Sequence, residues 1–92
     1  MVWQGVGRRL IILLMTVELV IEAREAARTG RGAAIREAAG LSRGELARFA
    51  GLNDATVSRY ESGRRVPRGD AAVRYARILR RLEAVMAARA AA

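Results

Sequence analysis

The residues best equipped for chemistry lie between 53 and 65: Asn53, Asp54, Ala55, Thr56, Ser58 and Arg59, then Arg64 and Arg65. They are hydrogen-bond donors and acceptors suited to recognition. A guanidinium presents a planar fork of donors that matches the O6 and N7 of guanine, or a phosphate, two bonds at a time. The chain has no His and no Cys, so imidazole and thiolate ligands, disulfides and most nucleophilic machinery are absent. No carboxylate cluster or phosphate-cradling loop is visible either. The expectation is therefore a protein that is not an enzyme and takes no cofactor, metal or small-molecule ligand. The charge balance points the same way, with 17 basic residues, all Arg, against 9 acidic and a net charge of +8. A surplus of that size on 92 residues suits a polyanionic partner, although a biased genome would leave the same imprint.

Positioning those side chains requires two short helices and a tight turn. Ser42-x-x-Glu45 is a capping box, in which the serine side chain and the glutamate side chain each satisfy a backbone N–H. It predicts a helix over 43–50, ended by Gly51. Asn53 is a good N-cap for a second helix over 54–62, with Asp54 favourable at its positive end and Gly63 stopping it. Leu46, Ala50, Leu52, Val57 and Tyr60 then face a shared core, and Ala47 is the small residue where the helices touch. On the second helix Asp54, Ala55, Ser58 and Arg59 lie opposite Val57 and Tyr60. This is the geometry that lays one helix in the major groove of DNA.

The rest of the chain also predicts helix. Residues 1–7 hold two glycines and no period, which suggests a loose arm. The next helix spans about 8–28, then comes a break at Thr29-Gly30-Arg31-Gly32 and a short helix over 33–39 that stops at Gly40. After a loop containing Pro67, Asp70 caps a last helix reaching about residue 90. Its apolar stripe is Val73, Ala76, Leu79, Leu82 and Met86, with Ile78 and Val85 beside it. No hairpin signal or internal repeat appears, so the fold class is all-α. The domain reading is an N-terminal arm and apolar helix over 1–30 and a DNA-binding domain over 31–92.

Residues 33–79 resemble the Xre/Cro family of helix-turn-helix domains found in lambdoid phage repressors and Cro proteins. The matching segments are Arg36 to Ser42, Glu45-Leu46-Ala47, Ala50-Gly51-Leu52, Thr56 to Gly63, and Arg64-Arg65 before Pro67. The resemblance implies a five-helix, lambda-repressor-like domain, here with an extra apolar N-terminal helix. The family often carries Gln where this chain has Arg43, a change that favours phosphate over base contact. It usually breaks after its fourth helix; no break occurs near Leu79, so that helix is expected to be extended.

Geometry and resemblance together assign roles. Arg59 is expected to read guanine, and Ala55 to touch a thymine methyl, with Ser58 beside them. Asp54 can accept from a cytosine amine or serve only as a charge at the helix start, the second being preferred. Ser42, Arg43, Arg64 and Arg65 are expected to clamp the backbone, and Asn53 and Thr56 to hold phosphate or a neighbouring base edge. Backbone contacts set register and carry little sequence information. The resemblance further implies a structural ion pair between Arg36 and Glu61.

The apolar run in the first long helix has a different use. Glu18 and Glu22 interrupt it well short of the roughly 20 residues that span a bilayer, and the acidic stretch after it does not suit signal-peptide cleavage. No membrane role and a cytoplasmic location are expected. Leu10, Leu13, Leu14, Val17, Val20 and Ile21 are expected to serve packing and a homodimer interface. The resulting expectation is a small prokaryotic or phage regulator of transcription, a repressor that binds a double-stranded operator. The alternatives are an antitoxin-like or excision-factor-like protein whose N-terminal helix binds a protein partner, and a basic amphipathic protein of membrane surfaces.

Overall fold

Glycines at positive φ punctuate the backbone: Gly30, Gly40, Gly51 and Gly63 each separate one helix from the next segment of chain. The computed structural model describes residues 2–92, with side chains from residue 5 onward. The helices are α1 (Val2–Thr29), α2 (Arg31–Ala38), α3 (Arg43–Ala50), α4 (Asp54–Glu61) and α5 (Gly69–Ala91). The fold is all-α, and among the described residues there is no strand. No helix among them is long and apolar enough to cross a membrane.

Three boundaries differ from the sequence expectation. The arm over 1–7 is instead the first part of α1 from Val2 onward, and Met1 lies outside the described residues. A glycine inside a helix costs only about 1 kcal/mol, so Gly5 and Gly7 do not interrupt a ladder that contains no proline. Gly30 alone makes the next break, and Gly32 belongs to α2. Asp70 does not cap α5. Arg68 occupies the N-cap with no side-chain bond, while Asp70 sits in the first turn and pairs with Arg74 at 2.8 Å.

The core forms where α3, α4 and α5 converge with the second half of α1. Leu46 and Ala47 of α3, Val57 and Tyr60 of α4, and Ala72, Val73, Tyr75, Ala76 and Leu79 of α5 are buried together with Leu19, Ala23, Ala26 and Ala27 of α1. Two tyrosines supply much of its bulk, with Tyr60 and Tyr75 stacked at a tilt, ring centroids 5.0 Å apart. Gly32 makes room for the second: a Cβ there would lie 2.1 Å from the Tyr75 hydroxyl oxygen. Burial holds the Tyr75 phenol up at about 12. Further out, Leu82, Ile78 and Met86 are half-buried and Val85 is exposed, so α5 outruns the core it helps to build.

The small side chains Ala23, Ala26 and Ala27 let α1 sit close to its neighbours, and ion pairs staple its edge. Glu22 pairs with Arg80 of α5, and Arg31 bridges Glu25 and Glu83. The first half of α1 is different. Leu10, Leu13 and Leu14 are exposed, as are Val6, Ile11, Ile12 and Met15, and the exposure continues at Val17 and Ile21. Of the six residues expected to serve packing and dimerisation, Val20 alone is packed against the core. Leu19, two residues from Val17 on another side of the helix, is the buried leucine of α1 among the described residues.

Candidate nucleic-acid interface

The turn between α3 and α4 is built from local hydrogen bonds. Gly51 takes φ 71°, which lets its own N–H reach the Arg48 carbonyl and the Leu52 N–H reach that of Ala47. This pair of bonds satisfies two of the last four carbonyls of α3. Asn53 then starts α4, its Oδ1 accepting from the Thr56 N–H at 2.8 Å. At the start of α3, Ser42 Oγ accepts from the Glu45 N–H at 3.0 Å and the Glu45 carboxylate accepts from the Ser42 N–H at 2.9 Å. These bonds and the Ser42 hydroxyl hold the Glu45 carboxyl below its ordinary value. Each helix therefore begins with a side-chain cap on one of its first-turn N–H groups.

The structure brings Asp54, Ala55, Ser58 and Arg59 to the exposed side of α4, with Val57 and Tyr60 buried beneath. Ala55, Ser58 and Arg59 stand three and four residues apart and share one face. Asp54 leans back over α3: a Cβ on Gly44 would lie 3.1 Å from its Oδ2. Its carboxylate thus sits against the first turn of α3, near the positive ends of two helices. Thr56 departs from the expected contacts. It is only 9% exposed, so it belongs to packing, and its backbone N–H is already taken by Asn53.

Beyond α4, Gly63 repeats the left-handed stop, and the Arg64 and Arg65 N–H groups both donate to the Arg59 carbonyl. The side chains of Arg59, Arg64 and Arg65 are exposed and make no ion pair among the described residues. The end of α4 and the exit loop after it thus offer three uncommitted guanidiniums.

Beneath this surface lies a charged clasp. Arg36 of α2 donates through Nε and Nη2 to the two Glu61 oxygens at 2.6 and 2.9 Å, and through Nη1 to the Leu41 carbonyl at 2.8 Å. The Glu61 side chain is 4% exposed and that of Arg36 10%. A third partner enters from α3, because Arg43 Nε donates to Glu61 Oε1 at 3.0 Å. Arg43, expected only as a backbone clamp, therefore has its Nε committed to Glu61 while 58% of its side chain is exposed. Burial alone would raise the Glu61 pKa. The hydrogen bonds and charges of Arg36 and Arg43 outweigh that and hold it below the ordinary value.

Sequence reasoning missed three features: the Arg43–Glu61 bond, Gly44 as the small residue under Asp54, and Arg24. Arg24 reaches from α1 to donate to the Pro67 carbonyl at 3.0 Å. All three depend on how helices sit against one another. A glycine in the first turn of α3 was the single local clue.

A bihelical unit with a glycine turn, buried inner residues and an exposed arginine-bearing second helix defines a helix-turn-helix. The family model described as a helix-turn-helix domain matches residues 33–89, from within α2 to near the end of α5. The chain belongs to this family of DNA-binding domains. No curated protein and no solved structure matches it. Helix α1 precedes the matched stretch.

Removing the Glu61 carboxylate would strand a buried guanidinium. Glu61→Ala should cost about 3–5 kcal/mol, whereas Arg64→Ala, on an exposed loop, should stay within about 0.5 kcal/mol. A group with a lowered folded pKa stabilises above the ordinary carboxylate range and loses that contribution as pH falls through the lowered value. Thermal unfolding from neutral to acid pH should therefore show a flatter acid limb for Glu61→Ala than for wild type. Equal melting temperatures for the two variants would contradict the clasp.

Proposed function

We propose that this protein is a sequence-specific regulator of transcription of the Xre/Cro kind, a small repressor that inserts α4 into the major groove of a double-stranded operator. The observation that carries the reading is the exposed face of Ala55, Ser58 and Arg59, followed directly by the uncommitted Arg64 and Arg65. Arg59 reads a guanine edge, and Ala55 and Ser58 meet neighbouring bases. Arg64 and Arg65, with the first turn of α3 at Ser42 and Arg43, hold the phosphates on either side. Asn53 keeps its side-chain amide for the backbone while its oxygen caps α4. Asp54 acts as a helix-start charge. Residues 31–92 make up the DNA-binding part and residues 1–30 the partner-binding part.

Arg59→Ala should cost about 1–3 kcal/mol of binding and relax preference at one base position. Arg65→Ala should weaken all sequences about equally and flatten the salt dependence. Random-site selection followed by fluorescence titration reads both. An unchanged consensus and affinity for Arg59→Ala would contradict the assignment of α4.

The first half of α1 supports a homodimer. Leu10, Leu13, Leu14 and Val17 are exposed on a helix that carries large apolar side chains on every side. A single module covers few base pairs, and two-fold pairing sets two half-sites about one helical turn apart. Sedimentation equilibrium should give a dimer for the wild type, and Leu13→Glu and Val17→Glu should yield folded monomers. A wild-type monomer at tens of micromolar would contradict the dimer. The exposed run would then favour the antitoxin-like alternative, in which a different protein covers it.

A further inference from the structure

Helix α1 meets the exit loop where Arg24 donates to the Pro67 carbonyl. Beside that bond lies an open cleft of about 510 Å³ between α1 and the loop. Arg24 and Arg28 line it from α1, and Gly63, Arg65 and Val66 from the loop. Its one acidic neighbour, Glu25, is held by Arg31 at 2.8 Å, which leaves the three guanidiniums dominant. Arg28 is exposed and has no ion-pair partner among the described residues. Gly63 is two residues past the end of α4, so the cleft opens where the recognition helix stops. Arg24 and Arg28 also lie outside the stretch matched by the family model.

We propose that α1 carries an additional phosphate-binding position, in which Arg28, together with Arg65, holds the DNA backbone flanking the bases read by α4. The proposal rests on the DNA-binding reading and widens it, because it makes the appended helix part of the DNA interface. Like charges gathered around one concavity repel one another, and a phosphate between Arg28 and Arg65 relieves that repulsion. Ile21, Ala27 and Pro67 also line the cleft.

The test uses the full chain, the selected operator and the same operator trimmed by about half a helical turn at each flank. Association constants are measured across a range of salt for wild type, Arg28→Gln and Arg28→Glu. On the long duplex Arg28→Gln should lower the log–log salt slope by about 0.9, the value for one phosphate contact, and weaken binding about fivefold at 0.1 M salt. Arg28→Glu should weaken it further, and the selected consensus should be unchanged for both. On the trimmed duplex wild type and Arg28→Gln should bind alike. A wild-type slope for Arg28→Gln on the long duplex, or an equal deficit on both duplexes, would overturn the proposal while leaving α4 as the reader. Failure of wild type to bind any duplex would overturn both.

Discussion

The helix-turn-helix of this molecule depends on a buried carboxylate shared by two arginines. Glu61 is the last residue of α4, Arg36 comes from α2 and Arg43 from the first turn of α3. Withdrawing such charges from water costs several kcal/mol per ion, and attraction offsets this only where geometry is good and the remaining donors are satisfied. Here both Glu61 oxygens accept from Arg36, and the third arm of that guanidinium reaches the Leu41 carbonyl. The clasp is therefore better understood as fixing geometry than as adding net stability. Apolar packing of Val57 and Tyr60 would tolerate rotation of α4 about its axis, whereas a two-bond fork at its last residue does not. The exposed face of Ala55, Ser58 and Arg59 is held in register by a buried bond at the last residue of the helix.

The second constraint is the division of α1. Its later half, with Leu19, Ala23, Ala26 and Ala27, completes the core that α2–α5 leave open. Small residues allow this close approach, and the Glu22–Arg80 pair and the Arg31 bridge fix its direction. Its first half runs past the core with apolar side chains exposed. One helix thus serves both the interior of the domain and a surface that a second chain covers in the proposed dimer. The same later half carries Arg24 and Arg28 to the edge of the exit loop.

Local chemistry was legible in the sequence and relative placement was not. The limits of α3, the Ser42–Glu45 box, the Asn53 cap and the stops at Gly40, Gly51 and Gly63 all arise from hydrogen bonds spanning a few residues. The inward turn of Val57 and Tyr60 is set by helical periodicity. Thr56 is ambiguous in sequence because a small polar side chain at the rim suits either side. The start of α1 is hidden because two glycines are a modest penalty against a long ladder. Arg36 and Glu61 are 25 positions apart, so the family resemblance suggests the pair and spacing does not. The bond from Arg43 has no sequence signal at all, since it depends on the crossing of α3 and α4. Asp70 looks like a cap by residue type, yet the helix begins one residue earlier and leaves it to pair with Arg74.

The central claim is that the clasp presents one face of α4, flanked by the start of α3 and the exit loop, to DNA. Backbone amide chemical shifts of the full chain, tracked during titration with its selected duplex, test this most directly. The largest changes should cluster at Ser42 and Arg43, at Ala55, Ser58 and Arg59, and at Gly63 to Arg65. Changes confined to the exposed apolar half of α1, or to the outer side of α5, would contradict it.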